Sequence, residues 1–180
     1  MCLSLLALST LVACEPPTPD VNVDFLSEPP MEVDIFQGSC PNGEFEPFFS
    51  EEMCTQISVP EDNWYIEARQ VSLDFDDYCV DYLVQNENIT LDRYCNGMQL
   101  HLDDGETNKV PLRAVAFTQK EQAWDQVGGS VEELQVKATL TMYSTNRWNE
   151  EQIETVADYD ILMANFDNCD EGAPITCAGQ

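Results

Sequence analysis

The chain has 180 residues, of which 34 are acidic and 7 are basic, so its net charge at pH 7 is −27. This charge excludes nucleic acid as a partner, because binding to phosphate backbones requires basic patches. Since 43% of the residues are hydrophobic, the chain can bury a core, and global disorder is excluded. Two explanations of the acidity remain. Adaptation to salty surroundings, where charge repulsion is screened, is favoured over binding of cations or basic partners.

An uncharged apolar run extends from Leu3 to Ala13. A membrane-spanning helix requires roughly 20 apolar residues. A secretory signal requires an apolar region of roughly 7–15 residues, followed by small residues at the cleavage site. The run therefore predicts a signal peptide over residues 1–13.

This run ends in Leu11-Val12-Ala13-Cys14, which resembles the lipobox of bacterial lipoproteins. The resemblance implies cleavage before Cys14 and several acyl chains on that cysteine, enough for stable anchoring. It also implies a location in the cell envelope, expected at the outer membrane and facing the periplasm or the exterior. The usual basic n-region is missing, since no Lys or Arg precedes Arg69. A start upstream of Met1 would account for this, and the alternative is a buried apolar N-terminal element with a structural Cys14.

Residues 14–34 predict a lipidated cysteine followed by an acidic, proline-rich tether. Five prolines and several acids follow Cys14 in this segment, with few residues that could pack. The remaining residues, 35–180, have the size of a single domain with one core.

Hydrophobic patterning predicts most of the strands in this domain. Apolar and polar residues alternate strictly over Leu134–Met142, which indicates a half-buried strand. Asn96-Gly97 is typical of a two-residue hairpin turn, so a hairpin between residues 89–95 and 98–102 is predicted. Its inward side chains would be Leu91, Met98, Leu100 and Leu102. A loop over residues 103–107 would then lead to a strand from Val110 to Ala114 that pairs with residues 98–102.

Another hairpin is predicted upstream, between residues 80–84 and 89–95. Its centre near Glu87 would place Cys79 close to Cys95. Together these hairpins predict a meander of four strands over about residues 79–117. A further strand from Trp64 to Phe75 changes its apolar parity, which indicates a bulge near Gln70.

Helices are predicted at two places. Thr118 and Glu121 fit a capping box, apolar residues follow, and Gly128-Gly129 would end the helix. Residues 149–157 predict a second short helix, with Ile153 and Val156 inward, and residues 159–166 predict a strand. Short strands separated by turns favour a mostly β fold, an antiparallel sandwich or barrel-like domain with one or two short helices.

Six cysteines remain when Cys2 and Cys14 are set aside. An even number in an exported chain indicates disulfides. The cysteines lie in three local couples, which predicts the three disulfides Cys40–Cys54, Cys79–Cys95 and Cys169–Cys177. A zinc site is the weaker alternative, because the chain has no CxxC pair and a single histidine.

The acidic loop Asp103, Asp104 and Glu106 is the first candidate for a calcium site, because acidic loops supply the oxygen ligands that calcium requires. It does not match an EF-hand loop, and in so acidic a chain such a cluster also arises by chance. His101 falls on the polar face of its strand. We interpret it as a solvated surface histidine, since no nucleophile-bearing motif accompanies it.

The leading hypothesis is a lipid-anchored, non-enzymatic binding or structural protein of the cell envelope, with a protein or carbohydrate partner at the cell surface. No catalytic residue and no obligatory cofactor is assigned. The first alternative is a small surface hydrolase that uses paired carboxylates. The second is a calcium- or carbohydrate-binding module, whose aromatic stacking platform would use Trp64, Tyr65, Trp124 and Trp148.

Overall fold

The computed structural model describes residues 19–35, 50–60, 71–86, 88–128, 133–147, 150–164, 166 and 177. Within these residues the chain forms eight strands and one helix, which confirms the mostly β prediction. In chain order they are β1 (Asn22–Phe25), β2 (Met31–Asp34), β3 (Glu51–Ser58), β4 (Ser72–Val84), β5 (Tyr94–Asp103), β6 (Thr107–Val115), α1 (Phe117–Gln126), β7 (Leu134–Asn146) and β8 (Gln152–Ala164).

The strands form two sheets whose inner faces share one core. The smaller sheet has the order β1-β3-β6 and is antiparallel throughout. The larger sheet has the order β2-β8-β7-β4-β5 and is antiparallel except where β2 runs parallel to β8. It curls into a half-barrel, and apolar side chains from both sheets fill the space between them.

The strict alternation over Leu134–Met142 is confirmed as a strand. Leu134, Val136, Ala138 and Leu140 are buried, while Gln135 and Lys137 between them are exposed. The strand continues to Asn146 and pairs with β4 on one side and β8 on the other, so it lies in the middle of the larger sheet.

The predicted pairing of Cys79 with Cys95 is confirmed, although β5 begins only at Tyr94 and residues 89–93 form no strand. Cys79 lies opposite Cys95 in the β4–β5 ladder, and a disulfide joins them with the Cα atoms 4.0 Å apart. A register shift in β4 falls between Phe75 and Asp77. The bulge that we predict near Gln70 lies outside the described residues.

The predicted hairpin turn at Asn96-Gly97 is wrong. Both residues lie within β5, opposite Tyr78 and Asp77 of β4. Leu91, Leu100 and Leu102 are nevertheless buried, and Met98 is partly buried. The predicted inward orientation is correct because alternate residues of a strand share one side. Met98, Leu100 and Leu102 therefore lie on the same side whether or not a turn precedes them.

The four-stranded meander is wrong as well, because the chain changes sheets after β5. The predicted turn exists: the Gly105 amide donates to the Val59 carbonyl over 3.0 Å, and Gly105 has a φ of 77°. Beyond the turn, β6 pairs with β3, placing Leu112 opposite Met53. The prediction failed since it considered partners only among neighbouring segments, whereas β3 lies far upstream.

The predicted first helix is confirmed, but its capping box is wrong. The N-cap is Ala116 without a side-chain cap, and Thr118 lies inside the helix. Gly128, with a φ of 66°, follows the C-cap as predicted. The buried side of the helix is largely polar, formed by Gln119, Lys120 and Ala123.

The predicted second helix over residues 149–157 is wrong, because these residues enter β8. Ile153 is buried as predicted, but Val156 is 59% exposed. The two residues are three apart, which places them on one side of a helix but on opposite faces of a strand. The strand predicted over residues 159–166 is confirmed to Ala164, where β8 ends.

The predicted tether over residues 14–34 is folded in its described later part. Val23 lies opposite Ile57 of β3, and Val33 of β2 is fully buried opposite Met163. The prolines that suggested a tether include Pro29 and Pro30, which lie between the two strands and are joined by a cis peptide bond. Cys14 and the signal sequence lie outside the described residues.

The predicted pairs Cys40–Cys54 and Cys169–Cys177 are wrong. Cys54 is bonded to Cys177, 123 residues away, with the Cα atoms 5.5 Å apart. Spacing in the sequence does not predict this pair, because the fold brings together cysteines from distant strands and segments. Cys40 and Cys169 lie outside the described residues.

Tyrosine hydroxyls connect the two sheets across the core. Tyr82 of β4 and Tyr159 of β8 donate to the Ala114 carbonyl of β6 over 2.8 and 3.4 Å. Tyr78 accepts a hydrogen bond from the Arg113 amide over 2.8 Å. Burial raises the pKa of all three phenols. These bonds satisfy backbone groups along the open edge of β6.

Candidate functional site: the groove between β1 and β8

Most of β8 has one edge that no described strand covers. Gln152–Met163 pairs with β7, but β2 covers only Ile161–Ala164 on the other side. Among the described residues, no strand pairs with Gln152–Asp160 on that side. The chain leaves this edge at Pro29-Pro30, where proline has no amide hydrogen to continue a ladder.

Two hydrogen bonds establish which backbone groups face the open side. The Ala164 carbonyl accepts from Ile35 beyond β2, whereas the Glu151 carbonyl accepts from Asn146 of β7. Successive residues of a strand point their N–H and C=O groups to opposite sides, so even-numbered residues of β8 face away from β7. The backbone groups of Gln152, Glu154, Val156 and Asp158 therefore lie along the open edge. This is a row of donors and acceptors for another strand.

A groove of about 510 Å³ runs beside this edge, between β8 and β1. Its floor is apolar and is formed by Val23, Phe25, Met31, Met53 and Tyr159. Phe25 and Tyr159 pack with ring centroids 4.9 Å apart, joining the two sheets beneath the groove. The alternation of β1 turns Val23 and Phe25 toward the core and leaves Asp24 exposed.

The rim of the groove is acidic. Asp24 and Glu28 lie on the β1 side, and Asp158 and Asp160 lie on the β8 side. Lys137 is the one cation with a described ion pair here; its Nζ lies 2.7 Å from Asp158 Oδ2. This bond lowers the pKa of Asp158, so the carboxylate stays ionised. The groove can hold a ligand that combines apolar groups with positive charge.

The predicted calcium site is not supported by its geometry. Within the described residues, no group of three or more His, Cys, Asp or Glu side chains is placed to hold a metal. The carboxylate of Glu106 instead accepts a hydrogen bond from the Asp103 amide over 2.9 Å, and so stabilises the turn. The Asp103 carboxylate lies 3.2 Å from His101 Nε2.

His101 is exposed, as predicted, on the outer face of the larger sheet. Its Nδ1 lies 2.8 Å from Asp74 Oδ1, and the second oxygen of Asp74 is bonded to Arg147. The Arg147 hydrogen bond lowers the pKa of Asp74. The arrangement is a chain of polar surface contacts that links β5, β4 and the end of β7.

The carboxyl groups with shifted pKa values do not fit the hydrolase alternative. The general acid of a glycosidase needs a raised pKa. Asp74 and Asp158 are shifted in the opposite direction, each by a hydrogen bond to a cation. Of the proposed carbohydrate platform, Trp124 lies half-buried on α1, and Trp64, Tyr65 and Trp148 lie outside the described residues.

The groove is not predicted from the sequence, because its residues come from three distant segments. Residues 23–31 were assigned to a tether, and residues 157–160 were divided between a helix and a strand. One signal was present: Val21, Val23 and Phe25 alternate with polar residues in the manner of a strand.

Comparison with known proteins finds no matching family model, no similar curated protein and no similar solved structure. The helix in the described part of the chain is too short and too polar to cross a membrane.

Proposed function

We propose that this protein is an exported, lipid-anchored component of the bacterial cell envelope that binds a partner and is not an enzyme. The observation that carries the binding role is the groove between β1 and β8. It combines a concave apolar floor with a few charged groups at its rim, which is the usual character of a binding site. The carboxylates of the rim suit a partner with positive charge.

Export is supported by the cysteines. Disulfides persist in oxidising compartments, and Cys54–Cys177 and Cys79–Cys95 are both closed. We also propose a third disulfide, between Cys40 and Cys169. Cys40 is the fifth residue after Ile35, whose amide donates to the Ala164 carbonyl over 3.0 Å. Both cysteines therefore follow chain segments that leave the same end of the β2–β8 pair.

The anchor is tested by intact mass of the protein purified from bacterial membranes. We expect loss of residues 1–13 and the added mass of acyl chains. A Cys14→Ala variant should retain its N-terminus, lack the added mass and no longer sediment with membranes. Unmodified Cys14 in a protein that still begins at Met1 would overturn the lipoprotein assignment.

The binding role is tested by a photo-crosslinking amino acid placed at single exposed positions in the full chain. Glu28 lies at the groove, whereas Asp125 lies on the exposed side of α1 and serves as the matched control. We expect a discrete crosslinked species from position 28 and none from position 125. Identical patterns from both positions would contradict a binding role for the groove.

A further inference from the structure

We propose that the groove takes up an extended basic segment of a partner protein, which pairs with the open edge of β8 as an added strand. The proposal rests on the binding function above and names the class of partner. The central part of the site is the edge of β8 that no described strand covers.

The backbone of β8 supplies the pairing groups. Gln152, Glu154, Val156 and Asp158 direct their N–H and C=O groups to the open side, by the alternation established above. Four residues in one row match the length of a short strand, and β2 shows at the adjacent residues that this edge accepts a neighbour. In strand addition, main-chain hydrogen bonds provide affinity and alternate side chains provide specificity.

The two faces of the added strand would meet different surroundings. Side chains on the inner face would lie over the apolar floor formed by Val23, Phe25 and Met31. Side chains on the outer face would lie beside the exposed acids of β8, which include Glu154, Asp158 and Asp160. The best-fitting segment therefore alternates apolar residues with lysine or arginine.

Charge also decides between possible occupants. An open edge can pair with the same edge of a second copy. Here a second copy would bring two rows of carboxylates together, on molecules that each carry a net charge of −27. The same carboxylates attract a basic strand, so a basic segment of another protein is favoured.

The test measures binding of synthetic peptides to the purified full chain by fluorescence anisotropy at low salt. The probe is a labelled heptapeptide of alternating lysine and valine. One control carries the same side chains on N-methylated backbone amides, and the other is heptalysine. We expect the probe to bind at least tenfold more tightly than either control. Equal binding by the N-methylated peptide would overturn strand pairing, and equal binding by heptalysine would overturn the role of the apolar floor.

A substitution in the protein tests the same edge. The N–H of Val156 faces the open side, so Val156→Pro removes a donor there and leaves the ladder to β7 intact. One lost hydrogen bond corresponds to at least about fivefold weaker probe binding. Val156→Thr keeps the donor and should bind as the unaltered protein does. If Val156→Pro lowers the melting temperature of the protein, the N-methylated peptide still tests strand pairing on the unaltered protein.

Two matched variants test whether the acidic rim is required for binding. Asp160→Asn at the rim should weaken probe binding severalfold, whereas Asp125→Asn on α1 should not change it. Equal effects of the two variants would show that the net charge of the protein, and not the groove, attracts the probe, and this result would overturn the site. A dimer that Val156→Pro abolishes would assign the edge to a second copy and overturn the proposal. A specific crosslink at position 28 without probe binding would overturn strand addition but leave the binding function standing. Absence of both the crosslink and probe binding would overturn the binding function as well.

Discussion

Lys120 Nζ lies 2.6 Å from Glu51 Oε1, and this ion pair joins α1 to the first residue of β3. The lysine side chain is 2% exposed and the glutamate side chain is 20% exposed. The pair explains how the helix can bury a polar side against the sheets. It also predicts that the two single substitutions differ in their cost in stability. The lysine left without its partner is shielded from water, whereas the glutamate left without its partner is partly hydrated.

Glu51→Gln should cost more stability than Lys120→Met. Removing the carboxylate leaves a buried ammonium without its counter-ion, which costs about 3 kcal/mol. Removing the lysine leaves a carboxylate that water can partly reach, so the loss should be smaller. The double variant should recover most of the difference, since no buried charge remains. Urea unfolding of the four proteins measures this, and equal losses in the two single variants would contradict the explanation.

Tyr82 predicts the response to alkali. Its hydroxyl donates to Ala114 over 2.8 Å, and burial raises its pKa above the usual value of about 10. The neutral phenol is favoured in the folded state, so its contribution is fully present below pH 10 and is lost as the pH rises further. We expect the urea concentration at the unfolding midpoint to decrease as the pH is raised from 9 to 11.

Tyr82→Phe should lower the free energy of unfolding by about 1 kcal/mol at pH 7. It should also reduce the additional loss at pH 11, because one buried phenol no longer resists ionisation. Tyr143→Phe is the control, since Tyr143 is half-buried and its hydroxyl bonds the Arg93 guanidinium. An unchanged alkaline loss in the Tyr82 variant would show that this phenol is not the responsible group.

The two described disulfides should differ in what they contribute. Cys54–Cys177 spans 123 residues and Cys79–Cys95 spans 16. In the chain-entropy model the longer loop stabilises by nearly 5 kcal/mol and the shorter by about 3 kcal/mol. Replacing Cys54 and Cys177 by serine should therefore lower the urea midpoint further than replacing Cys79 and Cys95. The reverse order would mean that loop length does not govern their contribution.

What could be predicted from the sequence is mainly local. The inward faces of Leu134–Met142 and of Leu100 and Leu102 follow from alternation alone, because side chains in a strand have a period of two. The Cys79–Cys95 pairing follows from the symmetry of one hairpin. These features depend on residues within about 20 positions of one another.

Long-range partners could not be predicted in this way. The apolar face of one strand can be buried against that of any other apolar strand. The local sequence therefore does not determine that β6 pairs with β3 or that β2 pairs with β8. The groove depends on both choices, since the contact between Phe25 and Tyr159 joins one sheet to the other. The site was therefore missed although most of its residues are ordinary strand residues.

The third disulfide can be tested directly. Asp34 Oδ1 accepts a hydrogen bond from the Phe166 amide over 3.3 Å, so the chain segments that lead to Cys40 and Cys169 leave from neighbouring points. With Cys2 and Cys14 set aside, and with Cys54–Cys177 and Cys79–Cys95 closed, the pair that we propose is Cys40 with Cys169. Peptide mapping of the unreduced protein after alkylation at low pH should recover one linked species that contains both. Recovery of Cys40 and Cys169 as separately alkylated thiols would contradict the proposal, and a Cys40→Ser variant should then leave the unfolding midpoint unchanged.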